Sequence, residues 1–442
     1  MTQASPTTDR LLVGNCLETL KTLDDASIDS IVTDPPYELG FMGKAWDASG
    51  IAYQVDLWRE CLRVLKPGGH LLAFGGTRTY HRMAVAIEDA GFEIRDSIHW
   101  TYGSGFPKSL NVSKAIDKAA KAERKVVGVN KNVIRASKEA GGSDYGGFSK
   151  ANAAVTAPAT KAAKQWNGWG TALKPSHEPI VVARKPLDGT VAANVQQHGT
   201  GALNIDATRI GYVDENDGGD WGRFANHQSS KTIRKNMTED GQGLLDGRVD
   251  NGKQSGRFPA NTLLTHNHDC DTTCTPNCPI ELLDQQQEEV SRFFHNSQWS
   301  QADDLTPFIY QAKPGKKERN AGLEHLGTRN SSKMMRKANN TSEEQSKGFE
   351  QFAGAPAQNF HPTVKPVQLI RYLIKMVTPP KGTVLDPFLG SGTTAVAAIL
   401  EGFEWKGCEL TEDYLPIIKG RTTWATKERK KQVKQPKQET LL

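Results

Sequence analysis

The sequence predicts an α/β fold built on a doubly wound, mostly parallel sheet, and three observations carry that expectation. Short apolar runs alternate with helix-period segments towards both ends of the chain. Two of the apolar runs end in turns of a ligand-binding kind, Thr33-Asp34-Pro35-Pro36-Tyr37 and Asp386-Pro387-Phe388-Leu389-Gly390-Ser391-Gly392-Thr393-Thr394. In open sheets of this class ligands bind at the carboxyl ends of strands. Between the two turns lies a long polar stretch with little period, which reads as insertion rather than core.

The elements follow in order. Leu11 to Val13 is a short strand ending at Gly14-Asn15, and Leu17 and Leu20 mark a helix face. Ile28 to Val32 is a buried strand that Pro35 stops, because successive prolines cannot donate to a ladder. Leu39 to Asp47, Gly-rich with two aromatics, reads as a mobile loop beside that turn. Val55 to Leu65 is helical by period, and Lys66-Pro67-Gly68-Gly69 ends it. His70 to Phe74 is a strand. Tyr80, Met83, Ala84 and Ile87 face one side of a helix stopped at Gly91, and Phe92 to Trp100 is the next strand.

At Thr101 the alternation breaks. Residues 103–109 read as a loop, 111–126 as a basic helix and 140–170 as linker without period. Pro179 to Ala183 returns as a strand of the core. Residues 211–257 and 328–358 are polar, with apolar runs at 262–264 and 308–310 between them. Order resumes at His361-Pro362-Thr363. A helix spans Val367 to Val377, and a strand at Val384-Leu385 runs into the second turn. A helix covers Ala395 to Leu400, and the strand from Glu404 to Leu410 carries Glu409.

The expected organisation is a core over residues 1–110, a mobile basic insertion over 111–170 and a core strand within 171–186. A large inserted region follows over 187–358, then a ligand-binding part of the core over 359–426 and a basic tail, read as a disordered arm, over 427–442. A net charge of +5 fits a nucleic-acid partner without requiring one. The six cysteines do not form the framework of a small secreted domain, no apolar run approaches a membrane span, and the first ten residues lack the apolar centre of a signal peptide. The expectation is a soluble, cytoplasmic chain with no membrane partner.

The first turn offers Asp34, the Pro35 carbonyl, Pro36 and the Tyr37 ring at one strand end. Two acceptors and an aromatic face suit a flat ring that bears an amino group. The second turn is a strand, a glycine turn and a small-residue helix, the parts of a nucleotide-type site. It is no P-loop, since no Gly-Lys-Ser/Thr follows. Glu409, at the end of the next strand, stands where an acid can hold ribose hydroxyls.

Together these motifs resemble the S-adenosylmethionine-dependent DNA amino-methyltransferases, in the permuted beta order with the catalytic motif first. The resemblance covers residues 11–110, 171–186 and 360–420. It implies a Rossmann-like methyltransferase fold with an inserted target-recognition region. It implies that Asp34, Pro35, Pro36 and Tyr37 hold a target amino group flipped out of duplex DNA. It further implies cofactor contacts from Asn15, His361, Thr363, Lys365, Asp386, Pro387, Phe388, Gly390, Gly392, Thr393 and Glu409. Asn15 stands where many members have Asp, and as a bare residue it also reads as a helix cap. The expected product is N6-methyladenine, with N4-methylcytosine as the alternative and a methyltransferase acting on RNA, protein or a small molecule behind it. A homodimer and a cognate restriction nuclease are compatible partners.

His266, Cys270, Cys274 and Cys278 recur every four positions in a hydrophilic loop and are expected to form a structural zinc site rather than a catalytic one. Arg209, Arg223, Arg234, Arg257, Lys313, Lys316 and Lys317 are candidates for phosphate or base contacts from the insertion.

Overall fold

The aliphatic runs become strands where they can be covered on both faces. A computed structural model of the chain describes residues 10–39, 45–102, 109–129, 154–210, 257–265, 278–286, 291, 295–297, 316–328 and 358–434. Its strands are β1 (Leu11–Val13), β2 (Ile28–Thr33), β3 (Leu65–Phe74), β4 (Glu93–Thr101), β5 (Val126–Val129), β6 (Ala154–Thr156), β7 (His177–Arg184), β8 (Thr262–Thr265), β9 (His295–Ser297), β10 (Thr383–Asp386) and β11 (Glu404–Glu409). Nine of them form one sheet in the order β1-β11-β10-β2-β3-β7-β4-β8-β9, and β5 pairs with β6 apart from it.

Every pair in the large sheet is parallel except those of β7, which runs antiparallel to β3 and to β4. The doubly wound, mostly parallel sheet expected from sequence is therefore present, with one reversed strand inside it. The reversal brings the start of β7 to the edge where the parallel strands end, with Glu178 opposite Trp100 near the end of β4. The chain order also splits. The C-terminal strands β10 and β11 insert between β1 and β2, so the two turns of interest leave adjacent strands.

Helices cover both faces. Helix Val55–Val64 and helix Tyr80–Asp89 pack Leu57, Trp58, Cys61 and Ile87 with Ile28, Ile31 and Leu71 on one side. Helix Val367–Val377 and helix Thr393–Glu401 pack Leu373, Ile374, Val396 and Ala397 with Val32, Leu72 and Trp100 on the other. Among the described residues no helix is long and apolar enough to cross a membrane.

Several local expectations change. Lys66-Pro67-Gly68-Gly69 is no simple helix stop. Helix Val55–Val64 passes straight into β3, whose pairing with β2 shifts register across this stretch. Part of the segment read as linker is folded: β6 and helix Lys161–Gln165 pack against helix Val112–Ala119 and β5. The basic tail begins as helix, because Leu415–Lys434 is one continuous element. Of the loop expected at 39–47, residues 40–44 lie outside the described residues; Ala45–Ala48 is a short helical turn, where buried Asp47 accepts the Glu38 N–H at 3.1 Å.

The insertion is built into the core rather than hung from it. It supplies β8 and β9 to the sheet. Asn204 donates its N–H to the Met376 carbonyl, and half-buried Glu318 accepts the Val367 N–H at 2.8 Å.

Leu373 lies fully buried between the C-terminal helices and the N-terminal strands. Leu373→Ala is expected to cost about 2–5 kcal/mol, read as a lower urea midpoint at unchanged slope. An unchanged midpoint would contradict this packing.

Candidate active site

Strand endings place the site. β2 ends at Thr33, β10 at Asp386 and β11 at Glu409, side by side in the sheet. Beyond these ends lies a cavity of about 440 Å³. Asn15, Asp34, Pro36, His361, Thr363, Lys365, Asp386, Pro387, Phe388, Gly390, Thr393 and Glu409 all line it. Fourteen residues had been named for the two motifs and their ligand shell beside Pro35. The cavity gathers most of them from distant parts of the chain, and Pro35, Tyr37 and Gly392 are not on its wall.

Asp386 joins the two turns. Its carboxylate is buried, and one oxygen accepts the Thr33 hydroxyl at 2.7 Å and the Phe388 N–H at 3.0 Å. The other oxygen accepts the Thr394 hydroxyl at 2.7 Å. Burial pushes its pKa up to about 6 against these hydrogen bonds. Asp386 thus fixes the end of β2, one residue before Asp34, to the turn that opens helix Thr393–Glu401.

The two glycines of the second turn serve different contacts. Gly390 and Gly392 both have φ in the left-handed region, at 55° and 79°, where a side chain is strained. A Cβ on Gly390 would lie 2.8 Å from His361 Nε2, so this glycine admits the imidazole. A Cβ on Gly392 would face Ile418 at 3.4 Å, on the protein side. The sequence reading gave both glycines to close ligand approach, and for Gly392 the close neighbour is helix Leu415–Lys434 instead.

Glu409 accepts the Gly390 N–H at 2.8 Å and the Thr411 N–H at 2.7 Å. Burial nonetheless pushes its pKa up to about 7. Asn15 caps the helix after β1, accepting the Leu17 N–H at 3.0 Å, while also lining the cavity. His361 hydrogen-bonds the Thr363 carbonyl through Nδ1 and meets Tyr414 edge to face.

Around Asp34 the polar groups converge. Lys365 Nζ donates to Asp34 Oδ1 at 2.8 Å and to the Tyr37 hydroxyl at 3.0 Å, and lies 3.2 Å from Glu178 Oε2. Tyr37 donates its hydroxyl to the same Glu178 oxygen at 2.7 Å, and Tyr102 donates to the other at 3.3 Å. Burial raises the Asp34 pKa, Lys365 opposes that, and Glu178 adds to it. Burial would lower Lys365, but Asp34 and Glu178 outweigh it and hold the amine protonated. Two carboxylates share one ammonium, so the cluster is short of positive charge and has room for further donors.

Sequence reasoning placed Lys365 at the cofactor, whereas here its amine binds Asp34. It missed Glu178 and Arg421. Glu178 had a faint signal, an acid directly before the apolar run of β7, but the strand's reversal is not readable locally. Arg421 is buried, and one guanidinium nitrogen donates to the Ser391 carbonyl, the Ser391 hydroxyl and the Thr393 hydroxyl, each at 2.9 Å. Nothing in the sequence around it distinguishes it from a surface arginine.

Of the expected zinc ligands, His266, Cys270 and Cys274 lie outside the described residues. Cys278 is buried just before helix Pro279–Gln286. Among the described residues no cluster of metal-type ligands occurs. Arg223, Arg234 and Lys313 also lie outside them, while Arg209 pairs with Asp206 and sits over the Phe258 ring at 5.2 Å.

Several known proteins are similar to this chain in part or in whole. Type II methyltransferase M.HpaI of Haemophilus parainfluenzae is 33% identical over 114 residues, 24% of this chain and 36% of that protein. Type II methyltransferase M.HinfI of Haemophilus influenzae is 29% identical over 116 residues, 22% of this chain and 32% of that protein. The chain thus matches about a third of the length of these relatives. Among solved structures, the PvuII DNA methyltransferase (cytosine-N4-specific) aligns at 13% identity and TM-score 0.39, over 95% of this chain and 91% of that one. The M1.HpyAVI–SAM complex aligns at 13% identity and TM-score 0.36, over 93% and 98%. The sequence model of the DNA methylase family, designated N6_N4_Mtase, matches residues 28–420, which span both turns and the whole insertion, and the chain belongs to that family.

Proposed function

We propose that the chain methylates the exocyclic N6 of adenine in duplex DNA, with S-adenosylmethionine as the methyl donor. The observation that carries this reading is that one cavity has an amino-group acceptor, Asp34, on one wall and the Asp386–Thr393 turn with Glu409 on another. Its volume is within the range of small-molecule sites. The donor set fits a nucleoside: Glu409 is a buried acceptor for ribose hydroxyls, and Asn15 supplies an amide for the adenine edge. The cofactor supplies an electrophilic methyl on a sulfonium. Asp34 as the first residue of its motif supports adenine over cytosine as the target.

The chain's own residues do the rest. The amino nitrogen of a base is delocalised into its ring and is a poor nucleophile. Asp34 and the Pro35 carbonyl accept its two N–H groups and draw the nitrogen towards tetrahedral geometry, freeing the lone pair. Lys365 occupies Asp34 before the base arrives, and Glu178 offers the ammonium a second partner 3.2 Å away. The entering amino group therefore takes over one side of Asp34 without stranding a buried cation. A donor bound at the second turn would give up its methyl and keep the sulfur electron pair, and the amino nitrogen that takes the methyl would have to shed a proton. Asp34, with its pKa raised by burial, is the acceptor in reach. Tyr37, fixed by Glu178 through its hydroxyl and by Thr79 through its carbonyl, offers its ring to the flipped base.

Asp34→Ala is expected to cut methyl transfer by about 10²–10³-fold or more. Cofactor and DNA affinity should change little, because the interaction strengthens only as the nitrogen becomes tetrahedral. Tritiated methyl transfer beside calorimetry separates the two. Full activity in Asp34→Ala would remove the assignment.

Glu409 predicts a pH effect. Its folded pKa of about 7 lies above the 4.5 of an ordinary glutamate. Ionising it therefore costs stability as pH rises from 4.5 through 7, and a ligand that needs the carboxylate should release a proton on binding in that window. Cofactor affinity should rise between about pH 6 and 8, and Glu409→Gln should both weaken binding and remove the proton release. Equal proton release in wild type and variant, measured by calorimetry in buffers of different ionisation enthalpy, would contradict this role.

A further inference from the structure

We propose that residues 109–129 and 154–176 form a module that grips the DNA duplex beside the target base, an inference that rests on the DNA methyltransferase reading. The first observation is its place. The module leaves the sheet after β4 and returns at β7, and the two stems meet where the Tyr102 N–H donates to the Ser176 carbonyl at 2.8 Å. Tyr102 and Glu178, at these same stems, bond to each other within the Asp34 cluster. The module therefore springs from the strand ends that carry the Asp34 cluster.

The second observation is charge. The described residues of the module carry seven lysines and one arginine against two acids, a net of +6, while the whole chain carries only +5. Arg124 and buried Asp117 neutralise each other at 2.6 Å, so the excess resides on lysines. Lys114, Lys118 and Lys121 recur at helical spacing along and just after helix Val112–Ala119, all exposed. Lys161 and Lys164 are exposed on helix Lys161–Gln165, which packs against it.

The third observation separates a binding face from a merely solvated one. Trp166 and Trp169 stack edge to face at 5.0 Å yet remain 39% and 60% exposed, and Leu173 is 91% exposed. Charged groups with bare indoles beside them suit a polyanion with apolar sugar edges, as duplex DNA presents. The module is also built to hold its shape. Asp117 accepts the Ala159 and Thr160 N–H groups and the Thr160 hydroxyl as well as Arg124. Burial would raise this carboxyl, but the backbone donors, the hydroxyl and Arg124 bring it down to about 2. The surface lysines therefore stand on a fixed frame.

The test uses the full chain and a labelled duplex in fluorescence anisotropy over a salt series. Substituting Lys114→Gln, Lys118→Gln and Lys121→Gln together is expected to weaken duplex binding about tenfold or more and to reduce the salt slope by about 2–3. Trp166→Ala with Trp169→Ala is expected to weaken binding at unchanged salt slope. Cofactor affinity, read by calorimetry, should stay at the wild-type value in both. If the lysine variant keeps wild-type duplex affinity and slope while wild type methylates DNA, this inference is overturned alone and the face is left to a protein partner. If wild type itself binds no duplex, the inference and the functional reading fall together.

Discussion

One buried carboxylate sets the geometry on which the site depends. Asp386 ties Thr33, 353 positions earlier in the chain, to Thr394 and Phe388 in the second turn. A carboxylate buried without partners costs several kcal/mol, roughly. Three donors offset that here, and two of them are hydroxyls from elements that the sequence separates widely. The consequence is registration. Asp34 follows Thr33 directly, so the distance from Asp34 to the second turn is held by a bond between neighbouring strand ends rather than by the intervening insertion.

A second constraint follows from the sheet. Parallel strands deliver their carboxyl ends to one edge, which gives Asp34, Asp386 and Glu409 a common locale. A strand running the other way delivers its first residues there instead. β7 does this with Glu178, and the result is a cluster in which Asp34 and Glu178 share the Lys365 ammonium while two tyrosines donate to Glu178. The arrangement leaves Asp34 both oriented and under-supplied with donors. Such a carboxylate gains most from one further donor, and this state depends on Lys365 having Glu178 as a second partner.

What the sequence made legible was the chemistry that lies within short stretches. Both turns, the strands that lead into them and the helices over Val55–Val64 and Val367–Val377 stood out because period, proline and glycine act locally. Glu178 and Arg421 did not stand out, since their roles arise from contacts 141 and 30 residues away, to Tyr37 and Ser391. Lys365 was legible as a site residue, but its partner was not. A positive φ at Gly392 serves a helix contact and a ligand contact alike, and its neighbour Ile418 was not legible in the sequence. The folded part of the segment over 154–165 was hidden because its order depends on Asp117, which accepts backbone donors from across the module. Composition alone reads such a segment as linker.

The central claim is that this cavity joins a methyl donor to an amino group of a DNA base. The most direct measurement is modification-sensitive sequencing of host DNA after expression of the intact chain. The account predicts N6-methyladenine at one recurring short motif, absent from DNA of cells that lack the chain. Methyl groups on cytosine N4 would contradict the choice of base, and unmodified DNA from cells that hold the folded protein would contradict the claim itself.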